Sequence, residues 1–149
     1  MKVLYYDIAT CIERSYKLFL DVIKGELDRM RIYDINNVQA LMLYNIGDKE
    51  VSVGELTARG MYLGSNVSYN LKKLIQAGYI VQTPSEHDKR SLHVHLSERG
   101  QQVYAQMDQC IMEQAEDIKD VFPNAKALNL VHKNLQTLAS FWSKQGPRK

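Results

Sequence analysis

The sequence predicts a mainly α fold that carries one small β-hairpin. Three observations point there. Apolar residues recur at steps of three and four over most of the 149 positions, the spacing of amphipathic helices. Only between Tyr79 and Leu96 does the pattern change, to two β-prone runs around a polar, proline-bearing turn. Last, Leu128, Val131, Leu135, Leu138 and Trp142 alternate steps of three and four without interruption, a seam suited to packing on another long helix.

The elements follow in order. From Leu4 to about Leu27 a long first helix is expected, with Leu4, Ile8, Ile12, Tyr16, Phe19, Leu20 and Ile23 on a broad stripe and Gly25 marking its weak end. Asp34 or Asn36 caps a second helix with Val38, Leu41, Met42 and Asn45 inward, stopped at Gly47-Asp48. Lys49-Glu50-Val51 has room for a very short strand only. Ser52 and Glu55 then form an S-x-x-E capping box, in which each side chain satisfies the other's exposed backbone N–H. A short third helix should run to Arg59, and Tyr62-Leu63-Gly64 make a compact turn.

From Gly64 the stretch GSNVSYNLKKLIQAGYI reads as an amphipathic helix. Val67, Leu71, Leu74 and Ile75 share its apolar face, and Ser65, Asn66, Ser68, Tyr69, Asn70, Lys72 and Lys73 its other side, without one acid. Gly78 ends it, because glycine takes the left-handed conformation at a helix end cheaply. A short helix, a glycine-bearing turn and an amphipathic helix make a helix-turn-helix. In the hairpin that follows, Leu92, Val94 and Leu96 face one way, Ser91, His93 and His95 the other. Ser97 caps a long helix with Val103, Met107, Cys110, Ile111, Ile118 and Val121 inward; Pro123 breaks it before the final helix. The tail from Gln145 is polar and should fray.

A formal net charge of +2 announces no partner by itself, but its distribution is uneven. Between Arg59 and Arg90 five bases (Arg59, Lys72, Lys73, Lys89, Arg90) face two acids, Glu86 and Asp88; from Glu98 to Asp120 acids dominate. Hydroxyl and amide groups on an acid-free helix face suit base edges, and lysines beside them suit phosphates. No apolar run reaches the roughly 20 residues of a membrane helix, and no signal-peptide core opens the chain, so the expected location is cytoplasmic.

At this element order the chain resembles the MarR family of winged helix-turn-helix transcription regulators, with a leaning toward the LdtR-like branch. LGSNVSYNLKKLIQAGYI, the wing VQTPSEHDKRSLHVHL and the junction LSERG carry the resemblance, and Asp88-Lys89-Arg90 matches the family's D-x-R wing tip. It implies one domain over 1–149, with dimerisation helices at 1–30 and 98–145 and a winged helix lobe at 34–97. It also implies a homodimer on double-stranded DNA, Arg90 in the minor groove and Asp88 positioning it. The expected DNA contacts are Ser65, Asn66, Ser68, Tyr69, Lys72, Lys73, Asp88, Lys89 and Arg90. Tyr69 stands where many members carry a base, which puts the base preference in doubt. Relatives commonly bind small aromatic molecules where the two lobes meet; Tyr16, Leu20, Tyr44, Met61, Tyr62 and Met107 are the candidates here, and core packing explains the same residues equally well. The implied function is a ligand-responsive repressor on an inverted-repeat operator.

Other chemistries find less support. His93 and His95 form an H-x-H pair on a wing strand expected to be solvated, without the further ligands zinc requires. Cys11 and Cys110 read as buried, inert hydrophobes rather than redox switches. No phosphate loop, nucleophile elbow or H-E-x-x-H motif suggests an enzyme, and no cofactor is expected. A redox-sensing regulator of the same fold and a helical adaptor that binds no DNA remain the alternatives.

Overall fold

A computed structural model describes residues 1–58, 64–84 and 92–146 of the chain. The elements are α1 (Lys2–Arg29), α2 (Asn37–Ile46), β1 (Val51–Ser52), α3 (Val53–Ala58), α4 (Gly64–Gln76), β2 (Ile80–Pro84), β3 (Leu92–Leu96), α5 (Glu98–Val121) and α6 (Ala125–Gln145). They fall into two compact units, Met1–Gln109 and Cys110–Lys149.

The first unit holds the core. Ile23 and Leu27 of α1, Leu41, Met42 and Leu43 of α2 and Leu56 of α3 are buried with Val67, Leu71 and Leu74 of α4. Tyr79, Ile80, Val94, Leu96, Val103 and Met107 complete the cluster. In α4 and β3 the buried residues are those the apolar spacing placed inward.

α1 passes through Gly25 and ends at Arg29, close to the end near Leu27 that the apolar spacing suggested. An exposed helical glycine weakens a helix by only about 1 kcal/mol, and burial of Ile23 and Leu27 on either side outweighs that. The true end is closed at Arg31, which takes φ +56°. The Arg31 N–H meets Asp28 O at 3.1 Å and the Ile32 N–H reaches Leu27 O at 2.9 Å, the paired bonds of a Schellman ending. The end of α4 repeats the device with the expected glycine. Gly78 takes φ +77°, its N–H bonds Ile75 O at 3.0 Å, and the Tyr79 N–H bonds Leu74 O at 2.9 Å.

The caps are local and mostly legible. Asn36 opens α2 in a full capping box with Gln39. At α3 the Ser52 N–H donates to Glu55 Oε2 at 2.7 Å and the Glu55 N–H to Ser52 Oγ at 3.1 Å, the expected reciprocal box. α5 ends at Val121, short of Pro123, and Asn124 caps α6 by accepting the Ala127 N–H at 3.0 Å.

The sheet has three antiparallel strands in the order β1-β3-β2. β2 and β3 pair from Ile80↔Leu96 to Pro84↔Leu92, and β1 adds Val51↔Val94 and Ser52↔His93 on the far edge of β3. Two residues before α3 therefore anchor the hairpin to the helix-turn-helix. The strand alternation gives Val94 and Leu96 buried, while Leu92 is 46% exposed at the open end.

A tight junction joins β3 to α5. Ser97 Oγ donates to Gly78 O at 2.6 Å and accepts the Gly100 N–H at 3.1 Å. The Ser97 N–H bonds Tyr79 O at 3.0 Å. A Cβ on Gly100 would lie 2.1 Å from that same carbonyl oxygen; only glycine lets the first turn of α5 approach so closely.

Much apolar surface stays uncovered. Leu4, Ile8, Tyr16 and Phe19 of α1 are exposed, as are Leu128, Val131 and Leu135 of α6, which has no buried residue. Ile118 and Val121, expected inward on α5, are exposed too.

Candidate nucleic-acid interface

α4 is held by its apolar side and presents the other. Val67, Leu71 and Leu74 are buried, whereas Asn66, Ser68, Tyr69, Lys72 and Lys73 are exposed. Ser65 lies in its first helical turn. Lys73 Nζ sits 5.7 Å from the centroid of the Tyr69 ring, so the residue standing where a base was expected shares its site with a neighbouring cation. With no acid on the helix, this face combines amide, hydroxyl and phenol groups with two lysines.

Asn70 behaves differently. It is half-buried, and its Oδ1 accepts from Gln39 Nε2 at 3.2 Å while its Nδ2 donates to Asn66 O at 2.9 Å. Its amide is committed within the protein. The wing strands are braced by Glu50, whose Oε1 accepts from Thr83 Oγ1 at 3.3 Å and lies 3.6 Å from His93 Nδ1. The histidine pair is thus not simply solvated: His93 faces a carboxylate, and His95 Nδ1 is enclosed without a partner among the described residues. Among the described residues no three potential metal ligands gather. The wing tip Asp88, Lys89 and Arg90 lies outside the described residues.

The described candidates for an effector site differ in their surroundings. Tyr16 is 51% exposed and Met107 fully enclosed in the core. Leu20 packs at the core's edge. Tyr44 stacks on Tyr104 at 5.4 Å between centroids and donates to Asp108 Oδ1 at 3.0 Å. Burial, then that bond, pushes its hydroxyl pKa upward. Met61 and Tyr62 lie outside the described residues. A cavity of about 630 Å³ opens instead beside Met30, Ile32, Tyr79, Arg99, Val103 and Gln106, and none of Tyr16, Leu20, Tyr44 or Met107 lines it. The cysteines also separate: Cys110 is buried as expected, but Cys11 is exposed on α1.

Sequence reasoning missed a latch beside that cavity. Tyr79, fully buried, donates to Asp34 Oδ1 at 2.7 Å. Arg99 reaches Asp34 Oδ2 at 2.9 Å and Ala77 O at 2.8 Å, with its guanidinium 4.2 Å from the Tyr79 ring centroid. Burial tends to raise the Asp34 carboxyl, but the Tyr79 hydroxyl, the backbone and Arg99 together hold it below its ordinary value. Burial and the bond to Asp34 push the Tyr79 hydroxyl up to about 12. Asp34 was legible only as a possible cap, and nothing local links it to an arginine 65 positions away. The N-x-x-Q spacing of Asn36 and Gln39, by contrast, was there to be read as a capping box.

A helix-turn-helix braced by a three-stranded sheet, followed by two long helices, is a winged helix with a helical extension. The MarR family profile matches residues 33–91, from the α1–α2 linker to the residue before β3. Over those residues the chain matches the MarR family. It is 43% identical over 107 residues to the exopolysaccharide II synthesis transcriptional activator ExpG of Rhizobium meliloti, covering 72% of this chain and 55% of that protein. The chain spans about half the length of the curated relatives it matches. Among solved structures it superimposes on Streptococcus pneumoniae FabT in complex with DNA, with a TM-score of 0.75 at 22% identity over 95% of this chain and 99% of that one. A Staphylococcus aureus MepR–DNA complex gives 0.74 at 15% identity over 91% and 97%.

Proposed function

We propose that this chain is a homodimeric, sequence-specific DNA-binding transcription regulator of the cytoplasm. The observation that carries this reading is the exposed, acid-free face of α4, anchored from behind by Val67, Leu71 and Leu74 in a MarR-type fold. Ser65, Asn66, Ser68 and Tyr69 meet base edges in the major groove, and Lys72 and Lys73 meet phosphates. Asp88, Lys89 and Arg90 reach the adjoining minor groove, as the family resemblance implies. A second copy covers the apolar faces of α1 and α6. The two reading helices then address half-sites about one helical turn apart in an inverted repeat.

The reading is tested by titrating duplexes selected by the wild-type protein, and scrambled controls, over a range of salt. Lys73→Ala should weaken both alike and reduce the salt slope by about one unit. Asn66→Ala should lower the ratio of selected to scrambled affinity by roughly tenfold, within the range a lost base contact produces. An unchanged ratio for Asn66→Ala would remove that residue from base reading.

The proposal includes a small-molecule effector and repression by occupancy of the operator. An effector site around Tyr16, Leu20, Tyr44 and Met107 is supported by their aromatic and thioether chemistry. Core packing is the competing reading, favoured by the enclosure of Met107 and the Tyr44–Asp108 bond. A second reading of the regulatory sign, activation, is favoured by the name of the Rhizobium relative.

A further inference from the structure

We infer that Gln39 and Asn70 form a polar clasp that sets the rotation of α4, and so act as positioning residues for base discrimination without touching DNA. This rests on the DNA-binding reading above. Gln39 is one of two buried polar residues among those described, 7% exposed. Its Oε1 accepts the Asn36 N–H at 3.0 Å, which turns its Nε2 toward Asn70 Oδ1 at 3.2 Å. That contact in turn fixes the Asn70 amide, leaving Nδ2 to donate to Asn66 O at 2.9 Å. Each amide has one orientation that satisfies its neighbours, and flipping either opposes like dipoles.

The buried side chains of α4, Val67, Leu71 and Leu74, are aliphatic. Contacts among Val67, Leu71 and Leu74 oppose withdrawal of the helix but tolerate a small roll, because dispersion is not directional. A hydrogen-bonded amide tolerates little: its strength falls steeply with misalignment. Recognition groups need to be held to about 0.5 Å and 10–20° by neighbours that are themselves locked. The clasp closes on the carbonyl of Asn66, in the first turn, beside Ser68 on the reading face. It ties that turn to the cap of α2, an element with its own fixed place in the core.

Gln39→Met and Asn70→Leu remove the clasp at similar side-chain volume. Gln39→Glu keeps an oxygen that caps Asn36 and replaces the donor to Asn70 with a charged acceptor facing Asn70 Oδ1. Each folded variant, and the Gln39→Met/Asn70→Leu double variant, is titrated with the duplex selected by wild type and with a scrambled duplex over one common range of salt concentrations. The expected result is a fall of about tenfold in the affinity ratio, with scrambled-duplex affinity and salt slope unchanged, and a double variant no worse than either single one. A residue that only supported the fold would lower melting temperature and leave the ratio intact. An intact ratio in Asn70→Leu and Gln39→Glu, or effects that add in the double variant, would overturn the clasp while leaving DNA binding standing. A wild type that prefers no duplex would overturn both.

Discussion

At the scale of single residues, the most consequential contacts join positions far apart in sequence. Tyr79 is buried completely, and its hydroxyl would lack a partner without Asp34. Tyr79→Phe should lower stability by about 1.5–3 kcal/mol, the range for hydrogen bonds to a charged group, read as a lower urea midpoint at neutral pH. The pH dependence has a definite sign at each end. Tyr79 has its folded pKa raised from 10.0 to about 12. Its contribution is therefore full below the ordinary phenol value and is lost as pH rises toward about 12. Asp34 has its folded pKa lowered, so its contribution is full above the ordinary carboxylate value and is lost as pH falls through the depressed one. Stability curves of wild type and Tyr79→Phe should accordingly converge at both extremes of pH. A constant gap across the whole range would mean that the bond to Asp34 is not what stabilises this site.

At the scale of elements, helices and strands are set by local pattern, while their junctions are set by close approach. The turn from β3 into α5 depends on Gly100 lying against the Tyr79 carbonyl. Gly100→Ala would force that backbone apart although alanine favours a helix. We expect a loss of about 1–3 kcal/mol, the usual penalty of overpacking, measured by denaturant unfolding. An alanine variant more stable than wild type would show that α5 can shift freely. The ends of α1 and α4 teach the same lesson. Both close by paired bonds to the preceding turn, but one uses Gly78 and the other Arg31. The glycine was legible; the arginine, placed at positive φ by the burial of Leu27 behind it and Ile35 ahead, was not.

At the scale of the whole molecule, the uncovered stripes of α1 and α6 call for a partner surface. Leu128, Val131 and Leu135 are 39%, 40% and 44% exposed, more contiguous apolar surface than a helix in water ordinarily leaves open. Leu135→Asp should abolish dimerisation, and with it tight binding to an inverted repeat, while circular dichroism still reports a helical protein. Sedimentation of wild type and variant decides this: a wild type that is monomeric at micromolar concentration would refute the homodimer.

The sequence by itself determined the order of elements, the Ser52–Glu55 box, the glycine end of α4 and the polar face from Asn66 to Lys73. These depend on interactions spanning a few residues, or on a periodicity that burial must respect. It allowed a very short strand at Lys49-Glu50-Val51 but not its pairing with β3, because two residues carry no periodicity that would place them in a sheet. It placed Asn70 on the outer face by angle alone and left His95 to solvent. Only the tertiary structure turned Asn70 toward Gln39, enclosed His95 Nδ1 and brought Arg99 to Asp34. Hydrogen bonds between elements depend on how those elements pack, and no local pattern encodes the packing.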